Sequence, residues 1–336
     1  MKIAVAISGG VDSAVSALLL KEAGHDVLLC HFLMSDAGTK GAADAKRVAE
    51  HLKLPFFLLD LKSEFECCVV KPFIDEYLFA RTPNPCVRCN PNFKFKQLIA
   101  FADKEGCDRV ATGHYAIVKE GRLFQAKNIK KDQSYFLSRL FPEQIRRIVF
   151  PLGEYVKEEV RRIAGEKGIP VAAKHDSQEI CFIPGDDYEA FLRERAPESF
   201  VPGDILDTEG NVVGKHVGLP SYTIGQRKKI GAHLVRKYVV RIDREKNSVI
   251  IGGNEDLEQK IVTLSDTRWL VKPESETFEA EAKIRSVSTP KKCLVRVLPE
   301  GQTELEFALP ERAAAAGQAG VIYRSGEVLG AGIITI

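Results

Sequence analysis

Ser8-Gly9-Gly10-Val11-Asp12-Ser13 stands between an apolar run, Ile3–Ile7, that reads as a β-strand and a helical pattern, Ser13–Ala23, that Gly24 ends. The two glycines let backbone N–H groups face an anion, and Ser8 and Ser13 add hydroxyl donors. The helix N-terminus behind them supplies a favourable dipole. The segment therefore reads as a pyrophosphate cradle, with Asp12 placed to hold the Mg²⁺ that travels with nucleotide phosphates. It is not a Walker loop, because the Lys of G-x-x-x-x-G-K-[ST] is missing. The plainer alternative, a glycine-rich turn with no ligand, explains neither the two serines nor the aspartate.

Outward from this loop, short apolar runs alternate with helical periodicity. Val27–Phe32, Phe56–Leu61 and Arg109–Thr112 read as strands, and Ala42–Leu52 and Ser63–Ala80 as helices. That rhythm predicts an α/β domain with a parallel sheet covered on both faces. A Glu120-Gly121 turn within Tyr115–Ala126 predicts an inserted hairpin, and Asp132–Leu140 and Tyr155–Gly168 read as helices. After Val201-Pro202-Gly203 the texture becomes β-rich, with Tyr238–Ile242 and Ser248–Ile251. From Ile261 onward Phe278–Ile284, Cys293–Val297, Thr303–Ala308, Ala319–Tyr323 and Gly330–Ile336 predict a small terminal barrel. The expected division is a catalytic α/β domain at 1–196, a small β-rich central module at 197–258 and a C-terminal β-barrel at 259–336.

The chain has 336 residues, 45% hydrophobic and 28% charged, a globular balance that excludes a disordered, collagenous or small disulfide-stapled protein. No apolar run is long enough for a membrane span, and the start lacks a basic leader, so a cytoplasmic location is expected. Forty-eight basic against 46 acidic residues leave only +2 overall. Lys215–Arg244 nevertheless holds eight Lys/Arg against one acid, Asp243, for a local +7 that suits phosphates. On charge alone, a solvated basic face explains this segment equally well. Eight cysteines in a reducing compartment are read for chemistry before disulfides. Cys30 and Cys107 lie in strand-like runs and read as core, and Cys67-Cys68 falls on a helix. Cys86-Val87-Arg88-Cys89 is a C-x-x-C without a second copy.

The loop is the signature of the PP-loop ATP pyrophosphatases, which carry an adenine nucleotide alpha hydrolase-like domain. Downstream stand Thr82-Pro83-Asn84-Pro85-x-x-x-Cys89-Asn90, Ala111-Thr112-Gly113-His114-Tyr115-Ala116 and Lys131-Asp132-Gln133-Ser134-Tyr135-Phe136-Leu137. Asp176-Ser177-x-x-Ile180-Cys181-Phe182-Ile183, Tyr222-Thr223-Ile224-Gly225-Gln226-Arg227-Lys228 and the closing Gly326–Gly332 follow. In this order and spacing the chain resembles the bacterial tRNA-specific 2-thiouridylases from Ala4 to about Ile333. The resemblance implies ATP-dependent formation of 2-thiouridine at a tRNA wobble position. ATP adenylates the uracil C2 oxygen and pyrophosphate leaves; a protein-held sulfur then displaces AMP. It further implies that Ala6, Ile7, Ser8, Gly9, Gly10, Val11, Asp12, Ser13, Phe32 and Gly113 bind ATP with Mg²⁺. Asn84 and Pro85 would meet the target base, and His114, Lys131, Asp132 and Gln133 would contact tRNA. Arg227, Lys228 and Lys229, in the +7 region, are expected on RNA phosphates. Taken singly, His114 could satisfy a loop carbonyl and Asp132 could cap a helix; within their motifs the functional reading is preferred.

The sulfur chemistry needs thiolates. By resemblance Cys89 and Cys181 supply them, but the family's Asp-x-x-Cys is Cys86-x-x-Cys89 here, so the role of that Asp does not carry over to Cys86. Three thiolates suffice for a [4Fe–4S] cluster with one iron free to bind sulfide, and Cys86, Cys89 and Cys181 are the expected ligands. The competing scheme loads a persulfide on Cys181 from a persulfide carrier protein and closes a disulfide with Cys89, whereas sulfide is the donor that the cluster would take. Two rivals stand beside the thiolase reading. Another PP-loop ligase leaves the cysteines and the basic segment without a role, and an RNA-binding module with a structural metal leaves the phosphate loop idle. Pyrophosphate release that depends on tRNA separates all three.

Overall fold

The computed structural model of the chain describes residues 1–174, 180–183, 185 and 187–335. It divides into two compact units, one of Met1–Val69, Cys86–Phe182 and Arg324–Leu329, the other of Val70–Pro85, Ile183–Tyr323 and Gly330–Ile336. Asp176 and Ser177 of the quoted motif lie outside the described residues.

In the first unit the strands are β1 (Lys2–Ala6), β2 (Asp26–Leu33), β3 (Phe56–Asp60) and β4 (Arg109–Ala111), then a hairpin of β5 (Ile117–Lys119) and β6 (Arg122–Phe124), then β7 (Ile148–Val149). Five of them form a parallel sheet in the order β3-β2-β1-β4-β7. Ile3, Ala4 and Val5 of β1 are fully buried, as a strand covered on both faces requires. Val5, Val15, Leu18, Leu29, Val48 and Val160 join one core, each large apolar side chain contributing about 1.5–3 kcal/mol on burial. The order reverses beside β1, which has β2 on one side and β4 on the other. The chain ends leaving β1 and β4 thus border the crevice where open α/β sheets take ligands. The expected hairpin is present, with Glu120 and Gly121 both at positive φ, 54° and 76°.

One expected helix is interrupted, and a helical stretch that was not expected is interrupted in the same way. Ser63–Ala80 is broken into Lys62–Phe65, a wide π turn over Glu66–Val70, and Lys71–Leu78, with the unit boundary falling at 69/70. A second π turn, Asn90–Lys94, separates Pro85–Cys89 from Phe95–Lys104. Pro72 and Pro91 lack the N–H that the regular i→i−4 bond needs, so the backbone widens locally. Asp132–Leu140 also shortens, to the single turn Ser134–Leu137.

In the second unit, β8 (Gly203–Leu206), β9 (Val212–His216), β10 (Tyr238–Asp243) and β11 (Ser248–Gly252) make a four-stranded sheet in the order β10-β11-β8-β9. Ile205, Leu219, Tyr222, Val239, Val249 and Ile251 form its core. The remaining strands are β12 (Glu258–Trp269), β13 (Thr277–Lys283), β14 (Lys291–Val297), β15 (Thr303–Arg312), β16 (Ala319–Arg324) and β17 (Glu327–Ile334), with Arg324–Leu329 counted in the first unit. They follow the order β12-β15-β14-β13-β16-β17, and β12 closes on β17 through Leu264↔Ile334 and Trp269↔Gly330. Closure leaves no unpaired edge, the expected terminal barrel.

Candidate active site

The loop after β1 is held by its own side chains. The Ser8 N–H donates to Ser13 Oγ at 3.1 Å, and Ser13 Oγ donates to the Gly10 carbonyl at 3.1 Å. Gly10 caps the helix Val11–Glu22 with extended backbone, turning the first helical N–H groups to the loop's concave side. Gly9 sits at φ +74°, and a Cβ there would lie 2.5 Å from the Gly41 carbonyl oxygen. A Cβ on Gly113, just past β4, would lie 2.6 Å from the Ser13 nitrogen. Glycine is thus what allows the ends of β1 and β4 to meet.

Over the loop opens a cavity of about 640 Å³. Its walls include every residue from Ala6 to Ser13 except Gly9, together with Phe32, Gly113, His114, Lys131, Gln133 and Cys181. All the expected nucleotide residues but Gly9, and three of the expected RNA-contacting residues, therefore converge with Cys181, one of the three thiols expected to act on sulfur. Gly9 instead backs onto the helix Thr39–Leu52. Asp132 is outside the lining. Its carboxylate accepts from Ala126 N, Ser134 N and Ser134 Oγ at 3.0, 3.1 and 2.8 Å, which ties the end of the hairpin to the start of the short helix. Cys86 and Cys89 also lie outside the lining.

Sequence reading missed the charged groups that surround these residues. Lys157, at the start of the helix Lys157–Glu166, donates to both oxygens of Asp12 at 2.7 and 2.8 Å, and the Tyr115 hydroxyl donates to Asp12 Oδ1 at 2.8 Å. The lysine side chain is only 8% exposed, against 29% for Asp12. Lys174 donates to the Gly9 carbonyl at 2.9 Å and to Asp44 Oδ2 at 2.6 Å, while Arg47 donates to Asp44 Oδ1 at 2.6 Å. Hydrogen bonds from Lys174 and then Arg47 hold the Asp44 carboxyl below its ordinary range. Lys94 Nζ lies 3.4 Å from His114 Nε2, and Thr112 Oγ1 lies 2.6 Å from Nδ1. An ammonium can only donate, so Nε2 accepts and Nδ1 carries the proton. Burial first, and Lys94 second, push the imidazole pKa well below its usual value, so His114 is neutral. No local pattern marks Lys94, Lys157 or Lys174, because each reaches its partner from a different part of the chain.

Burial raises all three thiols of interest. Cys89 is pushed up to about 12 and Cys181 to about 11, with Lys94 working in the opposite direction on both. Cys86 is raised as well, again by burial first. Cys86 and Cys181 are exposed residues, yet their sulfurs are crowded enough to feel this desolvation, and Cys89 is buried outright. Among the described residues, no three His, Cys, Asp or Glu side chains stand where they could hold a metal together. The three-thiolate cluster site expected from the sequence is therefore not assembled here; Cys181 faces the cavity while Cys86 and Cys89 do not. Cys30 and Cys107 are core residues, as expected.

The remaining expected residues belong to the second unit. Asn84 is half-buried and Pro85 buried, and Arg227, Lys228 and Lys229 are exposed. Lys229 is ion-paired with Glu189. Arg227 joins Arg236 and Lys237 around a separate cavity of about 440 Å³. Among the described residues no helix is long and apolar enough to cross a membrane.

A parallel sheet with this loop after its first strand, followed by a small β module and a closed barrel, defines a three-part α/β-plus-β protein of the HUP class. Family models agree part by part: the tRNA methyl transferase HUP domain over residues 1–185, the tRNA methyl transferase PRC-barrel domain over 189–253 and the aminomethyltransferase beta-barrel domain over 259–334. Full-length relatives narrow this class. The tRNA-specific 2-thiouridylase MnmA of Geobacter metallireducens is 42% identical over 99% of this chain and 96% of its own length. That of Pelobacter propionicus is 43% identical over 100% and 98%. The chain belongs to the tRNA-specific 2-thiouridylase family.

Proposed function

We propose that the protein is an ATP-dependent tRNA-uridine 2-sulfurtransferase acting at the wobble position. The observation that carries this reading is the single cavity in which the phosphate loop, Phe32, Gly113, His114 and Cys181 meet. The donor set fits a nucleotide: loop N–H groups and a helix N-terminus for phosphate, and Asp12 for Mg²⁺. Asp12 accepts three hydrogen bonds, so one lone pair of its carboxylate remains for a metal that binds through few protein ligands. Bound there, Mg²⁺ would neutralise phosphate charge as the α–β bond breaks.

In the first half-reaction the uracil C2 oxygen attacks the α-phosphorus of ATP and pyrophosphate leaves. In the second, the terminal sulfur of a Cys181 persulfide attacks C2 and AMP leaves. The Cys89 thiolate then attacks Cys181 Sγ, breaking the S–S bond; 2-thiouridine is released, and a Cys89–Cys181 disulfide forms that an external dithiol reduces. Burial disfavours the thiolate of both cysteines, and Lys94 partly offsets that effect. Asn84 and Pro85 would meet the target base; Lys131, Gln133, Arg227 and Lys228 would take tRNA. The loop-bearing catalytic part is assigned to 1–196, tRNA contact to 197–258 and the barrel to 259–336.

A second reading, a [4Fe–4S] cluster on Cys86, Cys89 and Cys181, is favoured by the mutual proximity through which Cys86 and Cys181 raise the pKa of Cys89. Against it, these side chains do not stand together as a metal-holding group among the described residues. The deciding experiment is nucleoside analysis of tRNA incubated with Cys86→Ala protein, ATP, Mg²⁺, a persulfide donor and reductant. Full thiolation without iron is expected. Binding of about four irons by the parent after anaerobic reconstitution, lost together with activity in Cys86→Ala, would establish the cluster instead.

A further inference from the structure

The loop lacks a lysine of its own, and the tertiary structure brings one to it from 165 residues further along the chain. Lys174 Nζ donates to the carbonyl of Gly9, the first glycine of the loop, at 2.9 Å and to Asp44 Oδ2 at 2.6 Å. An ammonium has three donors, so one remains beyond these two. The side chain is 39% exposed and lines the loop cavity beside Ser8, Gly10 and Ser13. Asp44, by contrast, is a fixed anchor at 9% side-chain exposure, shared with Arg47. Two cations against one carboxylate leave this rim of the loop at +1. The other charged pair, Asp12 with Lys157, is internally neutral. Lys157 is buried and absent from the cavity lining, so it does not compete for this role.

We infer that Lys174 binds the pyrophosphate end of the nucleotide, with Asp44 and the Gly9 carbonyl orienting its ammonium toward the cavity. This rests on the reading above that the loop takes ATP, and adds the residue that meets the leaving group. As the bond between the α-phosphorus and its bridging oxygen breaks, the electron pair passes to the departing pyrophosphate. A fixed ammonium at that end stabilises the growing charge without being rearranged. The lysine thus performs, from a distant segment, the neutralisation that a Walker loop obtains from the residue next to its last glycine.

The alternative is a purely mechanical one, in which Lys174 braces the loop against the helix Thr39–Leu52. Binding of Mg²⁺-pyrophosphate, measured by calorimetry and by inhibition of tRNA thiolation, separates the two. Lys174→Met should weaken pyrophosphate binding by about ten- to a hundred-fold, the effect of losing one charge-assisted bond, and Lys174→Arg should restore much of it. Asp44→Asn breaks the same brace but leaves the cation, so pyrophosphate affinity should hold or rise as a competing anion is removed. tRNA affinity should stay at the parent value in all three variants, which also verifies that they fold. Equal losses in Asp44→Asn and Lys174→Met, or an unchanged Lys174→Met, would overturn the inference. A parent protein that binds neither ATP nor pyrophosphate would instead strike at the nucleotide reading beneath it.

Discussion

Asp12 shows how one carboxylate is tuned by neighbours that its own motif does not contain. It stands in the first turn of its helix, where an anion is favoured, and faces Lys157 in the first turn of another helix, where a cation is not. The lysine tolerates that position because Asp12 and the helix's own Glu158 and Glu159 offset the dipole. Removing Asp12 therefore has two separable consequences. Asp12→Ala should abolish ATP-dependent pyrophosphate release, and it should also remove the carboxylate that faces a buried ammonium, costing about 3 kcal/mol or less since Asp12 keeps contact with solvent. The double variant Asp12→Ala, Lys157→Met should recover most of the stability in urea unfolding and none of the activity. Normal thiolation by Asp12→Ala would refute the metal–phosphate role. The aspartate was legible from its hexapeptide. Its partner was not, because an i to i+145 ion pair leaves no trace in local pattern.

At the scale of elements, glycines and prolines decide the geometry around the cavity. The strand–helix alternation and the hairpin at 120–121 could be read directly, since apolar period and turn chemistry are local properties. The break in Ser63–Ala80 could have been read from Pro72, but a helical pattern continues past that proline and masked it. Gly113 is where two elements touch. A Cβ at this position meets the backbone of Ser13 and Asp12, which has no flexible end to yield. Gly113→Ala should accordingly destabilise by about 1–3 kcal/mol, as overpacking does, and should shift the first turn that carries Asp12. The measurement is a lowered urea midpoint together with a raised KM for ATP; parent values for both would show that β4 does not abut the loop.

For the whole molecule, the total of +2 conceals an uneven distribution of charge. The basic segment of the second unit is uneven once folded. Lys229 is neutralised by Glu189, while Arg227 and Lys228 are exposed and have no ion pair among those seen in the described residues. Arg227→Ala with Lys228→Ala should thus weaken tRNA binding and flatten its salt dependence by roughly one counterion per lost phosphate contact. Lys229→Ala alone should change the slope little, and ATP binding should be untouched in both. A double variant with the parent's salt slope would show that these side chains are only solvated surface.

The three-part order of the chain, the parallel sheet, the phosphate loop and the thiols worth watching all follow from residues near one another in sequence. Strand and helix periods, glycine pairs and C-x-x-C spacing are short-range signals. What only the tertiary structure decides is which distant groups share a space. It puts Cys181 on the cavity and Cys86 off it, binds Asp132 to Ala126 and Ser134, and sets Lys94, Lys157 and Lys174 against His114, Asp12 and Gly9. Long side chains reach their partners through packing of whole elements, and charge acts through space rather than along the chain.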